Sequence, residues 1–417
     1  MATKQRPVVE EHQLTGFKYF KKLLPLFDRL HDAGCARDKA HNRSLHFDHY
    51  GALILLYLCN PIVRSLRALQ QASTLAKVQQ TLGCPRTSLG SLSESAQVFD
   101  PQLLTAIIAE LGDQLQPLAQ DPRLQDLDQV VTLVDGTLLK ALPRITEAMW
   151  LSTRTGTVHH AWRLHTHFDL DKHVPVRMTL TNGKNSGPSD EKTVLRQQLQ
   201  ADHCYVMDRW YAQFTLFNDI HQAGSSYVCR VRDNSVFTVV EERLLPPAAV
   251  AAHVVRDVVV RLGSDGKAGP DHRVRLILVR VEPHAKRSHR KGNTGAGPSD
   301  GLLRIATNLL DVPADIIALL YLYRSTIELF FRFFKHVLGC RHLLSDRPGG
   351  IAIQTYCAII ACMLMSLYTG GKPTLRTYEM ICYFLMGWAS AEELQAHLDK
   401  LHADDRARAH KQTKESL

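Results

Sequence analysis

The sequence predicts an α/β protein whose central sheet is entered only after a long helical stretch, is interrupted once by a β-rich insertion, and is followed by further helices. Three patterns predict it. Up to about Leu118, apolar residues recur at helical intervals. From Gln129, continuous or alternating strand patterns take over. Between Asn234 and Asp311, two β-branched alternating runs are separated by glycines. With 417 residues, 45% of them hydrophobic, the chain is long enough for two to three domains and a sizeable core.

In the first part, a helical unit over residues 1–120, Phe17 to Leu30 is interrupted by Pro25, His46 to Leu58 is a second helix, and a third starts at Ser65. Thr87 to Phe99 is rich in serine and turn residues and reads as a connection. Asp100 and Pro101 then read as the cap and first turn of the next helix. Residues 1–100 carry 13 Lys/Arg against 8 Asp/Glu. A small basic helical domain of this kind suits a helix-turn-helix reader of DNA or a packing platform, and no single recognition helix stands out.

Val130 to Val134, VVTLV, is the continuous apolar run of a central buried strand, and Asp135 ends it in the tripeptide Asp135-Gly136-Thr137. An Asp at such a junction serves turns and caps as readily as ligands. Alternating strands near Arg163 to Leu170 and His173 to Leu180 make a hairpin. His165 and His167 share a strand face there, a conceivable metal pair that lacks a nearby acidic or cysteine partner. A polar loop, Asn182 to Asp190, leads to a helix over Glu191 to Leu199. The short strand Cys204 to Met207 is followed at once by Asp208, in Asp208-Arg209-Trp210-Tyr211. Helix Ala212 to Ala223 and strand Tyr227 to Val231 complete the order of three strands, helix, strand, helix, strand. This is the order of the ribonuclease-H-like fold, and it fits other α/β domains as well. It assigns a catalytic core to residues 125–233 and 312–345.

Residues 234–311 form the β-rich insertion, with a hairpin of Val254 to Leu262 and Arg273 to Val281 and a returning strand at Leu302 to Asn308. Within it, His284 to Asp300 is a glycine-rich loop in which Lys286, Arg287, Arg290 and Lys291 make the densest cationic cluster of the chain. Helical pattern resumes near Pro313 and runs into YLYRSTIELFFRFFK, Tyr321 to Lys335. At about 100° per residue, Tyr321, Arg324, Glu328 and Lys335 lie within an arc of about 60°, with Ser325 and Arg332 beside them. Leu322, Ile327, Leu329, Phe330, Phe331, Phe333, Phe334 and Leu338 are expected to fill the buried remainder. A carboxylate flanked by cations and a phenol on a packed helix suits a metal ion beside a phosphate, although mixed charge on a wet helix face is common in any globular protein. In the C-terminal helical region, 346–417, Ile351 to Tyr368 is apolar but short and contains Gln354, so it reads as a buried helix rather than a membrane span. Residues from Ala403 onward read as charged and frayed.

A formal net charge of +9 favours a polyanionic partner. The nine cysteines lack the spacing of a zinc or redox motif and read as buried thiols of a reducing compartment. The first residues, MATKQRPVVEEHQL, lack the apolar run of a signal peptide, so a cytoplasmic location is expected.

The spacing Tyr321, two residues, Arg324, three residues, Glu328, six residues, Lys335 resembles the signature of insertion-sequence family four, a group of bacterial DDE transposases. With Asp135-Gly136-Thr137 and Asp208-Arg209, the resemblance covers about Val130 to Leu338. It implies that Asp135, Asp208 and Glu328, separated by 73 and 120 residues, are catalytic metal ligands for two Mg²⁺ ions, with Mn²⁺ as a substitute. It further implies that Tyr321, Arg324 and Lys335 hold phosphates of a transposon end, that Arg209 supports Asp208, and that Arg332 and the cluster of Lys286, Arg287, Arg290 and Lys291 add DNA contacts. The implied activity is cut-and-paste transposition on double-stranded DNA by a homodimer, which narrows the expected location to the bacterial nucleoid. A relic that only binds DNA and a structure-specific nuclease on the same fold are the alternatives. Two departures stand out: Trp210 occupies a position where many family members have a small or acidic residue, and the insertion has Phe237 as its sole aromatic, which puts hairpin formation by base stacking in doubt.

Overall fold

The computed structural model describes residues 25–33, 37–38, 43–118, 121–140, 149–152, 158–264, 269–281, 301–340 and 342–415. Its first layer is helical: α1 (Leu30–Ala33), α2 (Phe47–Leu58), α3 (Leu66–Ala72), α4 (Ala76–Leu82), α5 (Leu89–Val98) and α6 (Leu103–Gln114). Ser65 caps α3 by accepting from Ala68 N–H, as the sequence suggests. The serine-rich stretch expected to be a connection is instead α5. Ser88 caps it through Ser91 N–H, and Ser95 satisfies its own hydroxyl on the Ser91 carbonyl at 2.6 Å, so the serines support the helix rather than break it. Of the first expected helix, residues 17–24 lie outside the described residues.

The sheet has ten strands: β1 (Val130–Lys140), β2 (Met149–Ser152), β3 (Val158–Asp169), β4 (Val174–Asn182), β5 (His203–Met207), β6 (Ser226–Arg230), β7 (Phe237–Glu242), β8 (Val254–Leu262), β9 (Val274–Arg280) and β10 (Leu302–Thr307). Their order is β2-β3-β1-β5-β6-β10-β9-β8-β7, with β4 also on β3. β1, β5 and β6 are mutually parallel; β3 and β10 flank them antiparallel. The excursion after β6 therefore returns through β10 onto β6 and extends the same sheet. Because β10 runs antiparallel to β6, the start of β10 and the end of β9 lie at the edge where β5 and β6 end. Val281 N–H closes that edge on the Gly301 carbonyl at 2.9 Å. Residues 282–300, which carry Lys286, Arg287, Arg290 and Lys291, lie outside the described residues.

Helices cover both faces. α7 (Glu191–Arg196) and α8 (Phe214–Gln222) pack with Val134, Tyr205, Met207 and Cys229 on one face. On the other, Val131, Leu133, Val206 and Val228 share one large core with the N-terminal helices, α10 (Ala314–Tyr323), α11 (Ser325–Arg332) and α12 (Pro348–Thr369). A short helix, α9 (Pro247–Ala251), precedes β8, and α13 (Leu375–Leu385) and α14 (Ala391–Glu415) end the chain. Helix α14 continues to Glu415, where fraying from Ala403 was expected. Helix α12 is long and apolar enough to cross a membrane, but 94% of its apolar window is buried inside the protein. Its Gln354 is buried because the side chain joins Leu344 N–H to the His342 carbonyl. All eight described cysteines are buried and unpaired.

Two expectations change around the site. Strand β1 does not end at Asp135: pairing with β3 continues through Asp135↔Thr166 to Lys140↔Ala161, while the parallel pairing with β5 stops at Leu133. Asp135 thus sits on a continuing strand where its β5 neighbour has turned away. The single expected helix over 313–338 is three segments, with a break at Arg324 and a π-turn over Phe333–Val337 closed by Leu338 N–H on the Phe333 carbonyl. Leu322 and Leu329 are exposed rather than buried, whereas Ile327, Phe330, Phe331, Phe334 and Leu338 fill the core as expected.

Candidate active site

Strand alternation decides what meets at the sheet edge. Leu133 faces the large core, so Asp135 and Thr137 face it too, toward α11 and the π-turn, while Val134 and Gly136 face α7. Asp208 follows β5 immediately and comes to the same side as Asp135. Glu328 projects from the first turn of α11. The three carboxylates meet through Arg324. Its Nη1 lies 2.5 Å from Glu328 Oε1, and its Nη2 lies 3.4 Å from Asp135 Oδ2 and 3.9 Å from Asp208 Oδ2.

The remaining signature residues sit around this knot. Lys335, carried by the π-turn, donates to Thr137 Oγ1 at 2.5 Å, which ties the helix to the third residue of the Asp-Gly-Thr tripeptide. Tyr321 is half-buried at the core margin. Arg209 and Arg332 are exposed, and the cation paired with Asp208 is Arg324 rather than Arg209. Trp210 is 51% exposed, its N–H donating to Asp208 Oδ1 at 2.8 Å and its ring lying 4.7 Å from the Lys192 ammonium.

Burial dominates the electrostatics. It pushes the Asp135 carboxyl up to about 7; Arg324 and the Gly136 N–H oppose the shift, and Asp208 and Glu191 add to it. Burial works against the charge of Arg324, but Asp135, Tyr321, Asp208 and Glu328 outweigh it and raise its pKa. Burial lowers Lys335 and raises the Tyr321 phenol to about 12. A group whose folded pKa is raised adds stability below its unfolded pKa and loses it as pH rises through the folded value. Metal-free Asp135→Asn is therefore expected to melt higher than the parent above pH about 7, by an amount on the order of a few kcal/mol, with the gap closing toward pH 4. Thermal melts in chelator across that range check it.

Carboxylates alone make a hard-oxygen donor set, which suits Mg²⁺ or Mn²⁺. Among the described residues, His165 and His167 join no group of ligand-spaced side chains. Both are buried, with pKa values lowered by burial to about 4 and 3, and His165 pairs with Thr181 Oγ1 at 2.7 Å. Among the described residues, the ligand atoms of His31, Asp48 and His49 lie within 4.8 Å of one another, in the N-terminal helical layer and outside the sheet.

Sequence reasoning missed Glu191. It reads as an ordinary acidic residue in a first helical turn, yet it is 6% exposed and ion-paired with Arg163 directly behind Gly136. The glycine between Asp135 and Thr137 was the available signal, because it implies something packed against the strand there.

A model of the transposase DDE domain matches residues 126–364. A Sinorhizobium fredii protein described as a transposase is 27% identical over 206 residues, which is 49% of this chain and 52% of that protein. A Geobacillus stearothermophilus protein described as the transposase of an insertion sequence element is 24% identical over 296 residues, 70% of each chain. The chain thus spans about half the length of the first of these relatives. Among solved structures, a piggyBac transposase synaptic complex with hairpin DNA aligns at a TM-score of 0.43 and 10% identity, over 95% of this chain and 83% of that one.

Proposed function

The chain belongs to the transposase DDE domain family, and we propose that it is a DNA transposase of the insertion-sequence family four type, built on a ribonuclease-H-like core, that cuts at terminal inverted repeats and joins the ends to target DNA. The observation that carries this reading is the convergence of Asp135 from a strand, Asp208 from the turn after a strand and Glu328 from a helix on one guanidinium within 4 Å. The strand order β4-β3-β1-β5-β6, with β3 antiparallel, supports the core assignment.

In this reading Asp135, Asp208 and Glu328 would hold two Mg²⁺ ions, which would supply activation of the attacking oxygen and stabilisation of the leaving one. The chain's own contribution is position and charge. Arg324 offers a planar fork for phosphate oxygens, Lys335 an ammonium and Tyr321 a hydroxyl, all on the same side as the carboxylates. Arg209 and Arg332, both exposed, extend the cationic rim. The nucleophile is water in the first cut and the freed 3′-hydroxyl in the joining step. Paired ends call for a homodimer on DNA.

The test incubates the protein with Mg²⁺ and the inverted repeats flanking its own reading frame. Excision followed by strand transfer is expected. A gel shift with no cleavage in Mg²⁺ or Mn²⁺ would indicate a DNA-binding relic, and cutting of branched DNA without joining would indicate a nuclease.

Val281 and Gly301, which bracket the four clustered cations of the insertion in the sequence, are paired at the sheet edge where Asp208 lies. Neutralising Lys286, Arg287, Arg290 and Lys291 together is expected to weaken binding to all DNA sequences and to flatten the log-log salt dependence by about 0.9 for each phosphate no longer neutralised. An unchanged slope in a salt titration would remove these four cations from the interface.

A further inference from the structure

We propose that Glu191 is a positioning residue for the metal-binding carboxylates: with Arg163 and Tyr211 it forms a buried polar clamp on the reverse face of the sheet that fixes the two backbone segments bearing Asp135 and Asp208. The proposal rests on the transposase reading of the site and adds a residue to it.

Four segments of the chain meet at this one residue. Glu191 opens α7, and its backbone N–H is held by Asn185 Oδ1 at 3.0 Å, which ties down the preceding loop. Arg163 of β3 is ion-paired with it, and the register Leu138↔Arg163 puts the guanidinium on the same face as Gly136. Tyr211, fully buried, donates its hydroxyl to Glu191 and its N–H to the Asp208 carbonyl at 3.2 Å, so the turn after β5 is pinned through the same group. Gly136 is the fourth. A Cβ there would stand 2.7 Å from Glu191 Oε1, so only a hydrogen atom fits between the carboxylate and the peptide that follows Asp135.

Stability alone is a weak reason for such a pair, since a buried ion pair is often no better than apolar residues of the same volume. Position is a stronger one. Ligand carboxylates need placement to about 0.5 Å, and outer groups that orient ligands are worth about 10- to 100-fold in metal affinity. Here the clamp touches both ligand-bearing segments without touching either ligand side chain. The Asp-Gly-Thr glycine is thereby explained as the gap through which the reverse face supports the front.

The experiment uses Glu191→Gln, which keeps the shape and an acceptor for Tyr211, and Gly136→Ala, which keeps every charge and drives a methyl group into the carboxylate. Mn²⁺ binding is read by electron paramagnetic resonance of free Mn²⁺, with no cleavage required, and the half-saturating Mg²⁺ is read in end cleavage. Both variants are expected to remain folded by circular dichroism, and both readouts should rise about 10- to 100-fold. Wild-type metal dependence in Glu191→Gln, with or without a lower melting temperature, overturns the proposal while leaving the transposase reading intact. Mn²⁺ binding by the parent protein that ignores Asp135→Ala overturns both.

Discussion

Glu328→Ala is expected to reduce Mg²⁺-dependent end cleavage about a thousandfold or more, roughly 4 kcal/mol of transition-state stabilisation, while DNA binding in a gel shift changes little. Glu328 is the cleanest of the three carboxylates to remove. Its side chain is 58% exposed at the start of α11, so its loss costs little packing, and its short contact among the described residues is to Arg324. Asp135→Ala and Asp208→Ala should match it in activity, but each also unloads the guanidinium from a buried strand edge. A loss under about tenfold for Glu328→Ala, in a preparation whose parent cleaves, would show that the carboxylate does not serve the chemistry.

The largest stability effect is expected far from this chemistry. Asp257 in β8 and Arg275 in β9 are each 3% exposed and paired through two parallel hydrogen bonds, Nε to Oδ1 at 2.8 Å and Nη2 to Oδ2 at 2.6 Å. Arg275 Nη1 also donates to the carbonyls of Leu309, Leu310 and Val312, the segment that leads into α10. Asp257→Ala leaves that guanidinium buried with its charge uncompensated, which costs about 3–5 kcal/mol. Replacing both residues by apolar ones of similar volume should cost less than the single change. Chemical denaturation of the three proteins checks the order. A single variant within about 1 kcal/mol of the parent would mean that water reaches the pair.

The strand and helix pattern could be read from the sequence because each element is buried on a regular period, and the Tyr-Arg-Glu-Lys spacing kept its residues to one side despite two breaks in the winding. What could not be read depends on partners distant in the chain. Asp135 appeared to end a strand because the apolar run ends there. The strand continues because β3, roughly 30 residues later, pairs with polar residues as readily as with apolar ones. Leu322 and Leu329 looked like core because helical period is blind to which side of a helix the neighbours occupy. Glu191 drew no notice beyond opening a helix, because nothing local records that Arg163 and Tyr211 would close over it. The serine-rich α5 was misread because the same hydroxyls that favour turns also cap helices.

That β10 returns onto β6 has a geometric corollary. From β1 to β7 the sheet makes six steps, which at about 4.8 Å each span about 29 Å, the rise of roughly nine base pairs of duplex. That span is bridged by hydrogen-bonded backbone throughout, so in the transposase reading proposed above the offset between the carboxylates beside β1 and the far edge strand β7 would be set by strand count rather than by a linker.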